Sequence, residues 1–233
     1  MIFRTFRALF RKGYVQKEKS TTIQFFFETA NLSIRRKVLE DIGFFDTNCI
    51  TAEDMDINCR AMEKGWNLFY EPDAKIYHFH RKTFQGLCKQ WFFYGYGQSY
   101  VYKKFNRNRF TLLIFSSKRK ACLYKVLFNI PFVFPAVVFI NPFLILNLTA
   151  LFFISTITLS SPDFIKTFSA LLFGGAFLLY IKKYININNL MQSLYFILLR
   201  YCLSVAFVLG AFLGGIRYGV LDLHSAVDIN DSN

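Results

Sequence analysis

Hydrophobic and polar positions change pattern several times along the chain, and each change predicts an element. Residues 1–20 alternate Phe and Leu with Arg and Lys, amphipathic as far as Phe10 and polar from Arg11 to Ser20. A surface helix and the remnant of an upstream domain both fit that segment. Ile23 to Phe27 is a β-prone run, and Arg36 to Ile42 predicts a short helix with Val38, Leu39 and Ile42 on one face, ended by Gly43. Thr51 is a suitable N-cap with Asp54 three residues later, the spacing of a capping box, and Gly65 follows Lys64 as a stop. The next predicted helix therefore covers Ala52 to Lys64. Trp66 to Tyr70 has strand character, and Glu71-Pro72-Asp73 turns it. In the extended piece Ala74 to His80, a period of two sets Ile76, His78 and His80 on one face.

The segment Thr83 to Phe105 is dense in aromatics and closes on Lys103-Lys104, the composition of an element at a headgroup interface. Residues 106–120 read as a basic linker. From Ala121 the pattern is almost uncharged. Leu123 to Leu159 as one helix would be about 55 Å long against a bilayer core of about 30 Å, so it predicts two spans broken near Asn141-Pro142. Phe164 to Ile181 and Leu190 to Ile216 supply two more, four in all, leaving a polar tail from 217 to 233. The positive-inside rule conflicts with this count, because four spans place Lys182-Lys183 opposite a cytoplasmic N-terminal half. Gly210, Gly214 and Gly215 form a small-residue face suited to close helix packing, and Gly174-Gly175 suggest the same.

Charge divides the chain in the same place. Residues 1–120 hold 22 Lys and Arg against 11 Asp and Glu, whereas residues 121–233 hold 6 against 4. No helix-turn-helix, zinc-finger or RNP pattern accompanies the positive charge, so a nucleic-acid partner is not expected. A basic half next to apolar spans is instead suited to anionic headgroups on the cytoplasmic side. Arg4 and Arg7 break the first apolar run, so no cleaved signal is expected. The five cysteines are scattered without Cys-x-x-Cys spacing and read as reduced thiols.

Candidate chemistry concentrates in Glu53, Asp54 and Asp56 at a helix start. The helix dipole alone stabilises carboxylates there, but the surrounding motifs add more. The run Glu28 to Leu39, then Ile42-Gly43-Phe44-Phe45-Asp46, Ala52-Glu53-Asp54-Met55-Asp56, Arg60, Gly65, Tyr70-Glu71-Pro72 and His78-Phe79-His80 resembles the acceptor half of an inverting family 2 glycosyltransferase of the GT-A fold. The resemblance covers about residues 25–105. It implies a partial GT-A-like α/β domain followed by an all-α transmembrane region of about four helices, in a multi-pass membrane protein.

Further implications concern the site. Asp54 would be the catalytic base, Glu53 and Asp56 would orient it or the acceptor, and His78 would help hold a divalent cation, Mg²⁺ or Mn²⁺. Arg36 and Arg81 are candidates for the donor diphosphate, through the planar guanidinium fork. For Arg36 a solvated position at a helix start fits equally. Gln90-Trp91 is similar to the Gln-x-x-Arg-Trp helix that borders the acceptor channel of processive members, but the Arg is missing and Gln directly precedes Trp. The expected partners are a nucleotide-sugar donor, a lipid-linked or envelope glycan acceptor, and the membrane. No Asp-x-Asp precedes Asn31, so the resemblance implies that the nucleotide-binding half is missing and points to a separate donor-binding chain as a further partner. The alternative is a catalytically inactive truncated transferase or a non-catalytic membrane subunit.

Overall fold

The computed structural model describes residues 15–16, 29–69, 74, 76, 79, 81–118, 121–185 and 189–223. The readings for the N-terminal segment, for the turn at Glu71-Pro72-Asp73, for His78 and His80, and for residues 224–233 fall outside the described residues.

Helix α1 (Arg36–Ile42) has the predicted bounds, with Gly43 in the left-handed conformation at φ 83° as its C-cap. Val38 and Ile42 are buried with Ile57 and Ala61 of α2 (Glu53–Glu63), and Leu32, Leu39 and Trp66 close the cluster. Strand β1 (Val15–Gln16) pairs antiparallel with β2 (Leu68–Phe69). Helix α3 (Phe84–Phe105) takes up the whole aromatic segment, capped by Thr83, whose hydroxyl accepts from Gly86 N–H at 3.1 Å.

After α3 the structure departs from the sequence reading. Residues assigned to a basic linker and a first membrane span form β3 (Arg109–Lys118), β4 (Ala121–Pro131) and β5 (Ala136–Ile140). With β6 (Leu221–Leu223), which lies inside the stretch read as a polar tail, they make a sheet of order β4-β3-β5-β6. The physical reason is composition: Phe110, Thr111, Ile114 and Val137 to Ile140 are aromatic or β-branched, and Pro131 and Pro135 break any helix between them. Their inward positions, Leu113, Val137 and Phe139, join Met55, Val101 and Tyr102 in one core.

Three apolar helices follow β5, not four spans: α4 (Pro142–Thr158), α5 (Asp163–Tyr184) and α6 (Leu190–Tyr218). Asn141 caps α4 through Leu144 N–H at 2.9 Å, with Pro142 in the first turn. Among the described residues two helices, at Asp163–Lys182 and Leu190–Tyr218, are long and apolar enough to cross a membrane. The expected close packing of Gly210 and Gly214 is present, against Phe92 and Tyr96 of α3, whereas Gly174 and Gly175 face open space.

Candidate functional site

The acidic helix begins under local strain. Ala52, the residue before Glu53, has φ 66° and ψ 26°, a left-handed conformation costing a non-glycine residue roughly 1–3 kcal/mol. Contacts on both sides hold it there. The Thr51 hydroxyl donates to the Phe93 carbonyl at 2.5 Å, and Cys49 Sγ donates to the Thr51 carbonyl at 3.1 Å. On α3, Gly97 lies so close to Thr51 that any Cβ would collide with its hydroxyl and carbonyl. Thr51 is therefore an anchor to α3 and not the predicted N-cap: Ala52 holds the cap position, with no side-chain cap bond.

The three carboxylates have three different environments. Glu53 accepts the Thr29 hydroxyl at 3.2 Å, and Asn31 Nδ2, two residues further on, donates to the Ala74 carbonyl at 2.9 Å. Those bonds gather the Thr29–Asn31 turn, the start of α2 and Ala74. Asp54 is half-buried, and its Oδ1 accepts the N–H of Met55 at 2.8 Å. Burial, helped by the neighbouring charge of Glu53, lifts its carboxyl from 3.8 to about 6, although the Met55 N–H opposes the shift.

Asp56 is fully buried and its two oxygens are divided between two cations. Arg60 Nε donates to Oδ2 at 2.8 Å and Lys104 Nζ to Oδ1 at 2.7 Å. Lys104 also donates to Asp46 at 2.8 Å, Tyr100 O–H donates to the same Asp46 oxygen at 2.8 Å, and Arg60 Nη1 reaches the Ile42 carbonyl at 2.6 Å. The Lys104 bond, with the Asn48 N–H and Tyr100, holds the Asp46 carboxyl well below the usual carboxylate range. Burial lowers Lys104, but its bonds to Asp46 and Asp56 outweigh that and raise it. This clamp ties α1, α2 and α3 together. A cavity of about 350 Å³ opens beside it, lined by Gly43, Phe45, Asp46, Arg60 and Lys104 among others, on a side that neither Glu53 nor Asp54 lines.

Sequence reasoning missed Asp46, Tyr100 and Lys104 as members of the site. Their signal was present, since Asp46 belongs to the Gly43-Phe44-Phe45-Asp46 motif and Lys104 follows the aromatic run, but nothing in the sequence joins positions 58 residues apart. The remaining candidates are spread out. Arg36 is exposed and donates to Glu40 at 2.8 Å, one helical turn away. Arg81 is exposed before α3. Gln90 donates to Tyr94 O–H at 2.7 Å, and Trp91 meets the rings of Tyr94 and Phe207 edge-on, within a turn of the Phe93 carbonyl that anchors Thr51. Among the described residues no three His, Cys, Asp or Glu side chains assemble as a metal site.

A strained helix start presenting one carboxylate tuned towards neutrality, beside another locked in ion pairs, has the make-up of an acid–base site. Comparison with known proteins shows the family of the chain. The chain belongs to the family described as glycosyl transferase family group 2, whose profile matches residues 1–218. It is also similar to a pre-mycofactocin glycosyltransferase of Mycobacterium tuberculosis, in strains CDC 1551 / Oshkosh and ATCC 25618 / H37Rv. Identity is 34% over 67 residues, 29% of this chain and 14% of each relative, so the matched segment spans about a seventh of the relatives' length. No solved structure matches the chain.

Proposed function

We propose that this chain supplies the acceptor side of a membrane-bound, inverting glycosyltransferase of GT-A type, with Asp54 as the catalytic base. A sugar or lipid hydroxyl is a weak nucleophile at neutral pH. A carboxylate must take its proton while the oxygen attacks the anomeric carbon and the nucleoside diphosphate leaves from the opposite face. The observation that carries the reading is the contrast between Asp54, half-buried and lifted to about 6, and Asp56, fully buried between Arg60 and Lys104. A base with a pKa just under the working pH is mostly ionised and still basic enough to accept a proton.

In this proposal Glu53 orients the acceptor hydroxyl or Asp54, and Asp56 positions the helix start through its clamp. Gln90 and Trp91 border the acceptor path, and Arg36 and Arg81 are the candidate contacts for the donor diphosphate. His78, with Mg²⁺ or Mn²⁺, is the candidate metal ligand. When bound, such an ion would offset the charge of the leaving diphosphate. The donor is a nucleotide-sugar, bound by a half carried in the same polypeptide or in a partner chain. The apolar helices beside the site support a lipid-linked or envelope glycan acceptor.

The test is transfer of labelled sugar from nucleotide-sugar into lipid-extractable or glycan product, in membranes holding this chain with its donor-binding half. Asp54→Asn keeps the Met55 hydrogen bond and removes the base, so transfer is expected to fall about 10²-fold or more. Glu53→Gln is expected to cost less. Wild-type transfer by Asp54→Asn would remove Asp54 from the role.

A further inference from the structure

The sheet limits how the chain can thread a bilayer. β5 and β6 are hydrogen-bonded parallel neighbours, Ala136 opposite Leu221 and Val138 opposite Leu223, so both lie on the same side of any membrane. The chain between them must therefore cross an even number of times. Three apolar helices occupy that interval, and one of them cannot cross. Helices α4 and α5 are joined by the short turn Leu159–Pro162 and are packed together. The Thr156 and Ser169 hydroxyls are buried 2.9 Å apart across the pair, and the Phe153 and Phe173 rings stack at 5.9 Å. If α5 spans, its antiparallel partner spans with it, although α4, with 17 residues, is shorter than α5 and α6 and stands at the lower limit of a spanning length.

This leaves α6, and its surroundings agree. One face is covered by α3: Gly210 lies against Phe92, Gly214 against Tyr96 and Gly95 against Phe207, with Ser99 O–H donating to the Ala211 carbonyl at 3.0 Å. Helix α3 is itself fixed to the acidic helix through Thr51 and Lys104. α6 crosses the hairpin near its base: Ile197, Tyr201, Val205 and Val208 pack on Phe143, Leu146, Ala176 and Tyr180, and Tyr201 O–H donates to Asn147 at 2.8 Å. On the other face Leu194, Leu198, Leu209, Phe212, Leu213 and Ile216 are exposed. At 3.6 residues per turn they fall within an arc of about 100°. Arg200 stands roughly opposite that strip, over the Phe196 ring at 4.9 Å, a costly position for the middle of a span and an ordinary one for the polar side of a surface helix. Where α6 ends, Leu221 N–H bonds to the Pro135 carbonyl, and the adjoining Phe132, Val133 and Phe134 extend the exposed apolar surface.

Resting on the proposal that the chain is membrane-bound, we infer that only the α4–α5 hairpin crosses the bilayer, and that α6 lies along the membrane surface on the sheet's side with its Leu194-to-Ile216 strip in lipid. Lys182 and Asn189 then stay on the same side as the basic domain, which resolves the positive-inside conflict of a four-span arrangement. The catalytic helix is thereby held over the headgroups through α3, at a height that suits an acceptor anchored in the same leaflet.

Single-cysteine labelling with an impermeant maleimide, in sealed vesicles of each orientation, tests it. Cys88, Cys122 and Cys202 are changed to Ser. Cys49 and Cys59 are retained, since burial closes them off and pushes their thiols up to about 12. Lys103→Cys, Asn189→Cys and Leu223→Cys are expected to label from one face, and Ser160→Cys from the other face alone. Labelling of Asn189→Cys or Leu223→Cys from the face opposite Lys103→Cys would overturn the inference. Labelling of all four from one face, with release by alkaline wash, would instead sink the membrane reading on which it rests. Epitope tags on both ends of the unaltered chain give a second measurement. Protection of both tags on one face supports an even count, and opposite faces contradict it.

Discussion

Asp54 shows how a site can work against the stability of the fold that carries it. Its carboxyl has a higher pKa folded than unfolded, so the neutral form favours folding below about pH 4 and that contribution is lost as pH rises through about 6. The shift from 3.8 to about 6 corresponds to at most about 3 kcal/mol. Asp54→Asn is therefore expected to melt higher than the wild type at pH 7.5, with the difference closing towards pH 4. Thermal unfolding in detergent at the two pH values checks this, and an equal difference at both would mean that burial of the charge is not the cause. Asp46 has the opposite sign. Its lowered pKa contributes stability that is present above the unfolded value of 3.8 and lost as pH falls through its folded one.

At the scale of elements, the Asp46–Lys104–Asp56–Arg60 clamp and the glycine-lined contact between α3 and α6 are the two joints on which the site depends. Lys104→Met leaves Asp56 buried with Arg60 alone. Loss of one partner of a buried pair costs roughly 3–5 kcal/mol, less here because Lys104 is partly exposed. A melting point unchanged in that variant would reduce the clamp to a surface contact. Gly95→Val should loosen α3 from α6, because a Cβ there collides with the Phe207 carbonyl and the Ala211 N–H. Its expected signature is faster proteolysis of α6 at unchanged expression. The two short helices were legible from sequence, since Gly43 and Gly65 adopt the positive φ that stops them and Val38 and Ile42 on the first, Ile57 and Ala61 on the second, stand four residues apart. The strain at Ala52 was not, because it arises from Thr51 docking on Gly97, a contact between positions 46 residues apart.

For the whole molecule, Ala121–Pro131 and Ala136–Ile140, read as the start of the apolar half, form strands, and Val137 and Phe139 share a core with Met55 and Val101 of the basic half. Residues 126–140 carry no charge, and periodicity does not separate a short buried strand from a helix segment. Only the pairing of β3 with β5, Thr111 opposite Val137 and Leu113 opposite Phe139, decides it. The glycines of α6 were legible as packing residues, yet their partner proved to be the helix beside the site. If the hairpin spans, the protein should remain with membranes through high salt and alkaline carbonate, and release by salt alone would mean that electrostatic attraction is the whole attachment.

The pH dependence of sugar transfer tests the role of Asp54 most directly. With the donor-binding half present, wild-type kcat/KM is expected to fall as pH drops below about 6, as the Asp54 carboxyl takes up a proton. Asp54→Asn is expected to be slower by about 10²-fold or more at pH 7.5 and to lack that acid limb. An Asp54→Asn enzyme with wild-type rate and an unchanged acid limb would contradict the assignment of Asp54 as the base.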